Sequence, residues 1–438
     1  MKKILTLILI LTVALSAREI TLLEAEKLAL ENNLQIKLSE ASLQKAKVSS
    51  RETLANFFPT VSSFYQYTDN LEFSVMVVDF DGDGPQPPNH MTFGGKHTNT
   101  AGVQLSYPVF TGGAIINGQL MSSVAVNLSE LSLQDQVNTV IHTIRLLYYQ
   151  SQMLTSMIEA TEMGLASSKE SYELALQRQA VGQATQLDVL QTKVRYESYK
   201  PQLISMKNQL VSALANLKTF INDPELKEIT VIGKLEQIDN PYSGMTIEDL
   251  LELTKTERLE LKMAEEQKKI AKYQRNLAWS SVAPKVQIGG TVQWQSQAME
   301  FDEFDFKRNS NVSVSLSLPL FAGGKNAASI QKAYIGVKEA QYQVEQIEDF
   351  VYTDVDAAYR KVEEMQSNIF ATEDVVKQAE EALRLSKLLY ENGSATQLEL
   401  TSAEGGYLGA QSNYISSVFQ YNIAVEDLKK SLNNLLTK

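Results

Sequence analysis

The chain has 438 residues, a formal net charge of -12, 10 prolines and no cysteine. Without cysteine there is no disulfide, no thiol nucleophile, no Cys-ligated zinc and no cysteine-borne lipid anchor. Three histidines (His90, His97, His142) leave little for a metal site or a catalytic triad, and the acidic balance excludes the basic stripe of a nucleic-acid binder.

Lys2 and Lys3 precede an apolar run from Ile4 to Leu15, which ends in Ala14-Leu15-Ser16-Ala17. A basic start, a short apolar run and small residues at its end describe a secretory signal over residues 1–17. The run is too short to span a bilayer, which takes about 20 residues. No later stretch is a candidate membrane helix, so a membrane-spanning chain must use β-strands.

Helical spacing over 22–57 is followed by alternating Val61, Tyr65 and Tyr67, a loop over about 74–97, and alternating Val103, Leu105 and Tyr107. A very long helix is expected over 113–181, and a returning helix over 185–220 that Pro201 should kink. Segment 221–245 links this half to a second one. There a helix over 247–282 leads into a strand over 286–295, a loop over about 298–309, a strand over 312–320, a long helix over 324–391 and a returning helix over 396–432. Apolar residues at 344, 347, 351, 355, 358, 362, 365 and 369 mark a coiled-coil seam on the second long helix. At some 67 residues each long helix would span on the order of 100 Å, which no compact domain does.

The chain is thus written twice, as 18–220 and 246–438. Thr21, Leu34, Lys37, Glu40 and Pro59 recur 225 residues later as Thr246, Leu259, Lys262, Glu265 and Pro284. Pro108-Val-Phe-Thr-Gly-Gly113 recurs 211 residues later as Pro319-Leu-Phe-Ala-Gly-Gly324, and Gly182-Gln-Ala-Thr-Gln-Leu-Asp188 as Gly393-Ser-Ala-Thr-Gln-Leu-Glu399. Several matches at fixed spacing define an internal repeat. The fold class that follows is mixed α and β, mainly α, with four antiparallel strands per chain. Four strands alternate equally well as a small soluble sheet, packed on helices, or as part of a membrane barrel. A barrel needs at least eight strands and hence several chains.

Gly182 and Gly393 suit left-handed helix ends. Thr185 and Thr396, each followed three residues later by an acid, have the pattern of a capping box. That structural role accounts for Asp188 and Glu399 by itself. In a symmetric oligomer the same carboxylates would ring the narrow end of a tube and attract cations. Tyr390, three residues before Gly393, is placed to offer its hydroxyl to Asp188. Asp79-Phe-Asp81-Gly-Asp83-Gly84 opens like a calcium loop but reaches His90 where a bidentate Glu is required. No metal site, cofactor site, Ser/His/Asp arrangement or phosphate loop is evident, and an enzyme is the weakest reading.

From these motifs the chain resembles the TolC-like outer-membrane efflux proteins over about 18–435. The resemblance rests on the duplicated half, the two Pro-x-Phe-x-Gly-Gly junctions and the two Gly-x-x-x-x-x-acidic turns. It implies a homotrimer whose 12-stranded outer-membrane β-barrel continues as a helical barrel in the periplasm. It also implies a periplasmic adaptor (membrane fusion) protein, an inner-membrane transporter and outer-membrane lipid as partners, with no nucleic acid. By position, Asp188 and Tyr390 would hold the closed tip and Glu399 would form an acidic ring. Gly182, Gln183, Ala184 and Thr185, with Gly393, Ser394, Ala395 and Thr396, would meet the adaptor. Ser402 and Ala395 stand where some members carry an acid and a base. The expected role is a gated, passive exit duct for efflux or type I secretion. The alternatives are an ungated porin and a non-membrane coiled-coil structural protein.

Overall fold

A computed structural model describes residues 18–72, 74–78, 89–301, 304–433 and 435. The expected signal segment and the acidic stretch 79–84 lie outside the described residues. The first repeat runs β1 (Arg18–Ile20), α1 (Leu22–Asn32), α2 (Leu34–Ala55), β2 (Thr60–Asp69), β3 (Ser74–Val78), β4 (Asn89–Phe93), β5 (His97–Phe110), α3 (Ala114–Ala180) and α4 (Gln186–Ile221). After β6 (Ile229–Val231) the second repeat runs α5 (Ile247–Glu257), α6 (Leu259–Ser280), β7 (Lys285–Ala298), β8 (Lys307–Ser317), α7 (Lys325–Glu391) and α8 (Gln397–Ser431). The helices match in length pairwise: 11 residues in α1 and α5, 22 in α2 and α6, 67 in α3 and α7. None of the described helices is long and apolar enough to cross a membrane.

Contacts divide the chain into two compact units. Among the described residues one comprises 18–42, 129–263 and the segment from 345 onward; the other lies within 43–128 and 264–344. In the first, short parallel pairing of β1 with β6 ties the start of the chain to the inter-repeat segment. Two apolar clusters follow the repeat. One gathers Ile20, Val140, Ile144, Leu217 and Ile221, and the other gathers Leu250, Val355, Val362, Val425 and Leu428. Of the eight seam positions in α7, six are buried and Ile347 and Ala358 are half-buried.

Each expected N-terminal helix is two helices, which corrects the single helices over 22–57 and 247–282. The breaks fall at Asn33 and Arg258, both extended (ψ 129° and 121°), with no glycine or proline at either position. Tertiary bonding makes the break. Asn33 Nδ2 donates to the Phe220 carbonyl at 2.7 Å, and its Oδ1 accepts from the Gln35 amide at 2.8 Å. Arg258 Nη1 donates to the Ser431 carbonyl and Nη2 to Asp354 at 2.8 Å. Phe220 and Ser431 stand one repeat apart, so each break residue satisfies an orphan carbonyl at the end of a returning helix. Pro201 is exposed and removes one helix bond, yet α4 runs through it.

In the second unit one sheet has the order β2-β5-β7-β8, antiparallel throughout. Its register lines up Val61, Leu105, Gly290 and Val312 on one face. The other face lines up Ser62, Gln104, Thr291 and Asn311. The apolar face is open: Val312 is 82% and Leu316 71% exposed. That excludes a sheet whose apolar side packs on its own helices. β8 begins earlier than expected and ends at Ser317, because Pro319 has no amide for a ladder. Pro108 is kept within β5 by a register shift between Pro108 and Phe110. The expected loop over 74–97 holds the β3–β4 hairpin, whose run Ser74-Val-Met-Val-Val78 has strong strand propensity.

The strand-to-helix junctions Gly112-Gly113 and Gly323-Gly324 all have positive φ. A Cβ at Gly112 would lie 2.4 Å from the Ala283 Cβ, whereas one at Gly323 meets nothing within 4 Å. Gly112→Ala should therefore lose about 1–3 kcal/mol more than Gly323→Ala, since both bear left-handed strain but only one is overpacked. Chemical denaturation of the two variants measures the difference.

Candidate functional site: the two helix turns

The chain reverses from α3 to α4 and from α7 to α8 by one construction. Gly182 and Gly393 have φ of 75° and 74°. The Gly182 amide donates to the Gln179 carbonyl at 3.0 Å and the Gln183 amide to the Arg178 carbonyl at 2.8 Å. Likewise Gly393 donates to Tyr390 at 3.0 Å and Ser394 to Leu389 at 2.8 Å. This nested pair of bonds is the Schellman motif, which needs a left-handed residue and so selects glycine.

The returning helices then start on reciprocal caps. The Thr185 amide and hydroxyl donate to Asp188 Oδ2 at 2.8 and 2.7 Å, and the Asp188 amide donates to Thr185 Oγ1 at 3.2 Å. The Thr396 amide and hydroxyl donate to Glu399 Oε2 at 2.6 and 2.9 Å, with the Glu399 amide on Thr396 Oγ1 at 3.2 Å. Both acids are thus capping residues, held through one carboxylate oxygen. The Thr396 amide, and then its hydroxyl, hold the Glu399 carboxyl below the usual carboxylate range. A depressed acid contributes its stabilisation above the unfolded pKa and loses it as pH falls through the folded one. The Glu399 cap, and its charge, therefore persist through mild acidity.

The turns differ where the repeat differs. Arg178 in the last turn of α3 corresponds to Leu389, and Tyr390 to Gln179. Arg178 Nη2 donates to the Glu391 carbonyl at 3.0 Å, and its guanidinium lies 4.2 Å from the centre of the Tyr390 ring. Tyr390 is 4% exposed. Burial pushes its hydroxyl pKa up and Asp188 adds to that, against the pull of Arg178, so the phenol stays protonated. The hydroxyl bond expected from Tyr390 to Asp188 is not among the contacts of the described residues. Asp188 is turned to Thr185, a local bond that costs less chain entropy, while Tyr390 packs under Arg178. Arg178 was missed because an arginine near a helix C-terminus reads as ordinary dipole compensation.

Gly182, Gln183, Thr185, Gly393, Ser394 and Thr396 are exposed, and Ala184 and Ala395 are half-buried. Beside them Val181, Leu187 and Leu398 are 69%, 62% and 66% exposed. Leu187 and Leu398 are repeat equivalents, and their exposure at both turns was not foreseen. Among the described residues no group of three or more His, Asp or Glu is arranged to hold a metal.

The outer membrane efflux protein family model matches residues 26–223 and 250–434, one block in each repeat. The chain belongs to the outer membrane efflux protein family. Its place is the outer membrane, with extension into the periplasm. The proteases secretion protein PrtF of Dickeya chrysanthemi is 21% identical over 60% of this chain and 58% of its own length. The alkaline protease secretion protein AprF of Pseudomonas aeruginosa is 20% identical over 67% of this chain and 61% of its own. The chain thus spans about three fifths of the length of these curated relatives. The solved outer membrane protein VceC of Vibrio cholerae has the same fold, with a TM-score of 0.75 at 18% identity over 94% of this chain and 96% of that one.

Proposed function

We propose that this efflux-family chain is one third of a passive exit duct, closed at its periplasmic tip and opened for efflux or type I secretion. The observation that carries the reading is the sheet. Its apolar face is open, and β2 and β8 are each paired on one side only among the described strands. Such edges demand further strands, and four are too few to close a membrane barrel. Three chains make twelve, with the Val312–Val314–Leu316 face toward lipid and the Gln, Ser, Thr and Asn face toward water.

The tip follows from the same symmetry. Three copies bring together six capping carboxylates, three Asp188 and three Glu399, each with an oxygen the cap does not use. They constrict the entrance and favour cations. Tyr390 and Arg178 hold the two turns of each chain together. The exposed residues 182–185 and 393–396, with Leu187 and Leu398, form the seat for a periplasmic adaptor, and an inner-membrane pump supplies cargo and energy. The duct performs no covalent step and needs no cofactor.

Single-channel conductance of the purified chain in a planar bilayer tests this, beside the double variant Asp188→Ser, Glu399→Ser. The expected result is low conductance that rises severalfold in the variant. High conductance in both would leave an ungated porin. Absence from heat-resistant outer-membrane fractions would leave a coiled-coil fibre.

A further inference from the structure

Two helical turns into α8, Glu404 is 6% exposed and lies among three helices. Ser171 Oγ on α3 donates to its Oε1 at 2.6 Å, and Ser167 Oγ on α3 reaches the same oxygen at 3.3 Å. On α4, Arg195 Nε stands 3.7 Å from Glu404 Oε2. That Nε and that Oε2 are both buried and neither has a hydrogen-bond partner. Arg195 Nη2 donates instead to the Tyr199 hydroxyl at 3.2 Å.

Small residues make the approach possible. A Cβ at Gly405 would lie 2.9 Å from Arg195 Nη2, and one at Gly164 would lie 3.2 Å from Leu408 and 3.3 Å from Tyr199. Nothing here is repeated. The counterparts of Ser167, Ser171, Glu404 and Arg195 are Gln378, Ala382, Lys193 and Gly406. The cluster therefore acts in one place only, where the second hairpin (α7–α8) meets the first (α3–α4).

A buried ion pair is a poor source of stability, because desolvation offsets the attraction, and an incomplete one is worse than an apolar contact. It has a property that apolar packing lacks. When the helices part, water recovers both charges, so the contact releases easily, whereas removing one partner while the helices stay together strands the other.

We propose that Glu404 is a releasable latch between the two hairpins, a positioning residue that holds α8 against α3 and α4 while the tip is shut. This rests on the gated-duct reading and adds to it a second holding point, some seven to nine residues back from the turns.

The test uses the full chain in planar bilayers, with amide hydrogen exchange of the same preparations. Glu404→Ala should raise conductance severalfold and speed exchange over residues 397–410. Glu404→Gln keeps an acceptor for Ser171 and should do both more weakly. Ser171→Ala provides the same readings if Glu404→Ala fails to assemble. A merely structural acid would change heat resistance and not conductance. Unchanged exchange over 397–410 overturns the latch, whatever conductance does. Faster exchange with wild-type conductance, while Asp188→Ser, Glu399→Ser conducts more, overturns its part in gating. If neither set of variants raises conductance, the gated-duct reading has fallen and the latch falls with it.

Discussion

Arg145→Met should cost about 3–5 kcal/mol, the usual penalty for stripping one partner from a buried ion network. Arg145 Nε donates to Glu26 at 2.6 Å, Nη1 to Glu426 at 2.7 Å and Nη2 to the Leu435 carbonyl at 3.2 Å. The Glu426 side chain is 2% exposed, and those of Arg145 and Glu26 are 14% and 15% exposed. Burial by itself would lower the arginine pKa. The Glu26 bond and the Glu426 charge outweigh it, so the cation is fixed at every pH. Lys429 also reaches Glu426, at 2.8 Å, but from the next helical turn, and it cannot bridge to Glu26 on α1. Without Arg145 the Glu26 carboxylate keeps no cation partner among the described residues and Glu426 keeps only Lys429, whose side chain is itself half-buried. Denaturant unfolding followed by helical circular dichroism should show a lower midpoint at unchanged slope. Replacing all three members, Glu26→Leu, Arg145→Met and Glu426→Leu, should recover most of the loss, because the penalty comes from the orphaned charges. A triple variant no better than Arg145→Met would show that the loss lies in packing of the arginine stem.

That network joins residues 119 and 281 positions apart, and nothing in their local sequence announces it. The capping boxes are the opposite case. Thr185 with Asp188 and Thr396 with Glu399 are three residues apart, so the sequence contains the whole motif, and the structure has the bonds it implies. The seam on α7 was equally legible, because burial there follows the helical period. The breaks at Asn33 and Arg258 were not. Each depends on a carbonyl at the far end of another helix, and helix propensity sees no reason to stop at an arginine. Positions 33 and 258 are repeat equivalents that carry an asparagine and an arginine, yet both donate to the repeat-equivalent carbonyls of Phe220 and Ser431. At the tip, local reasoning found the acids and the glycines. For Tyr390 it looked to the hydroxyl, which advertises hydrogen bonding, and not to the ring face, over which the structure sets the Arg178 guanidinium.

If Tyr390 held the tip through its hydroxyl, Tyr390→Phe would open it. With Arg178 over the ring, Tyr390→Phe should conduct nearly as the wild type does, while Arg178→Met should conduct much more. A desolvated cation–π contact is worth about 2 kcal/mol and a charged donor on a carbonyl about 1.5–3 kcal/mol, less where water reaches the group. Even about 2 kcal/mol per subunit shifts an open–closed balance more than tenfold. Three subunits that open together would compound it. Arg178→Lys should not restore closure, because an ammonium keeps the charge but loses the flat fork that both covers Tyr390 and reaches the Glu391 carbonyl. Conductance of the three variants decides the matter. An open Tyr390→Phe beside a closed Arg178→Met would return the hold to the hydroxyl. It would make the stacking of Arg178 on Tyr390 incidental to the gate.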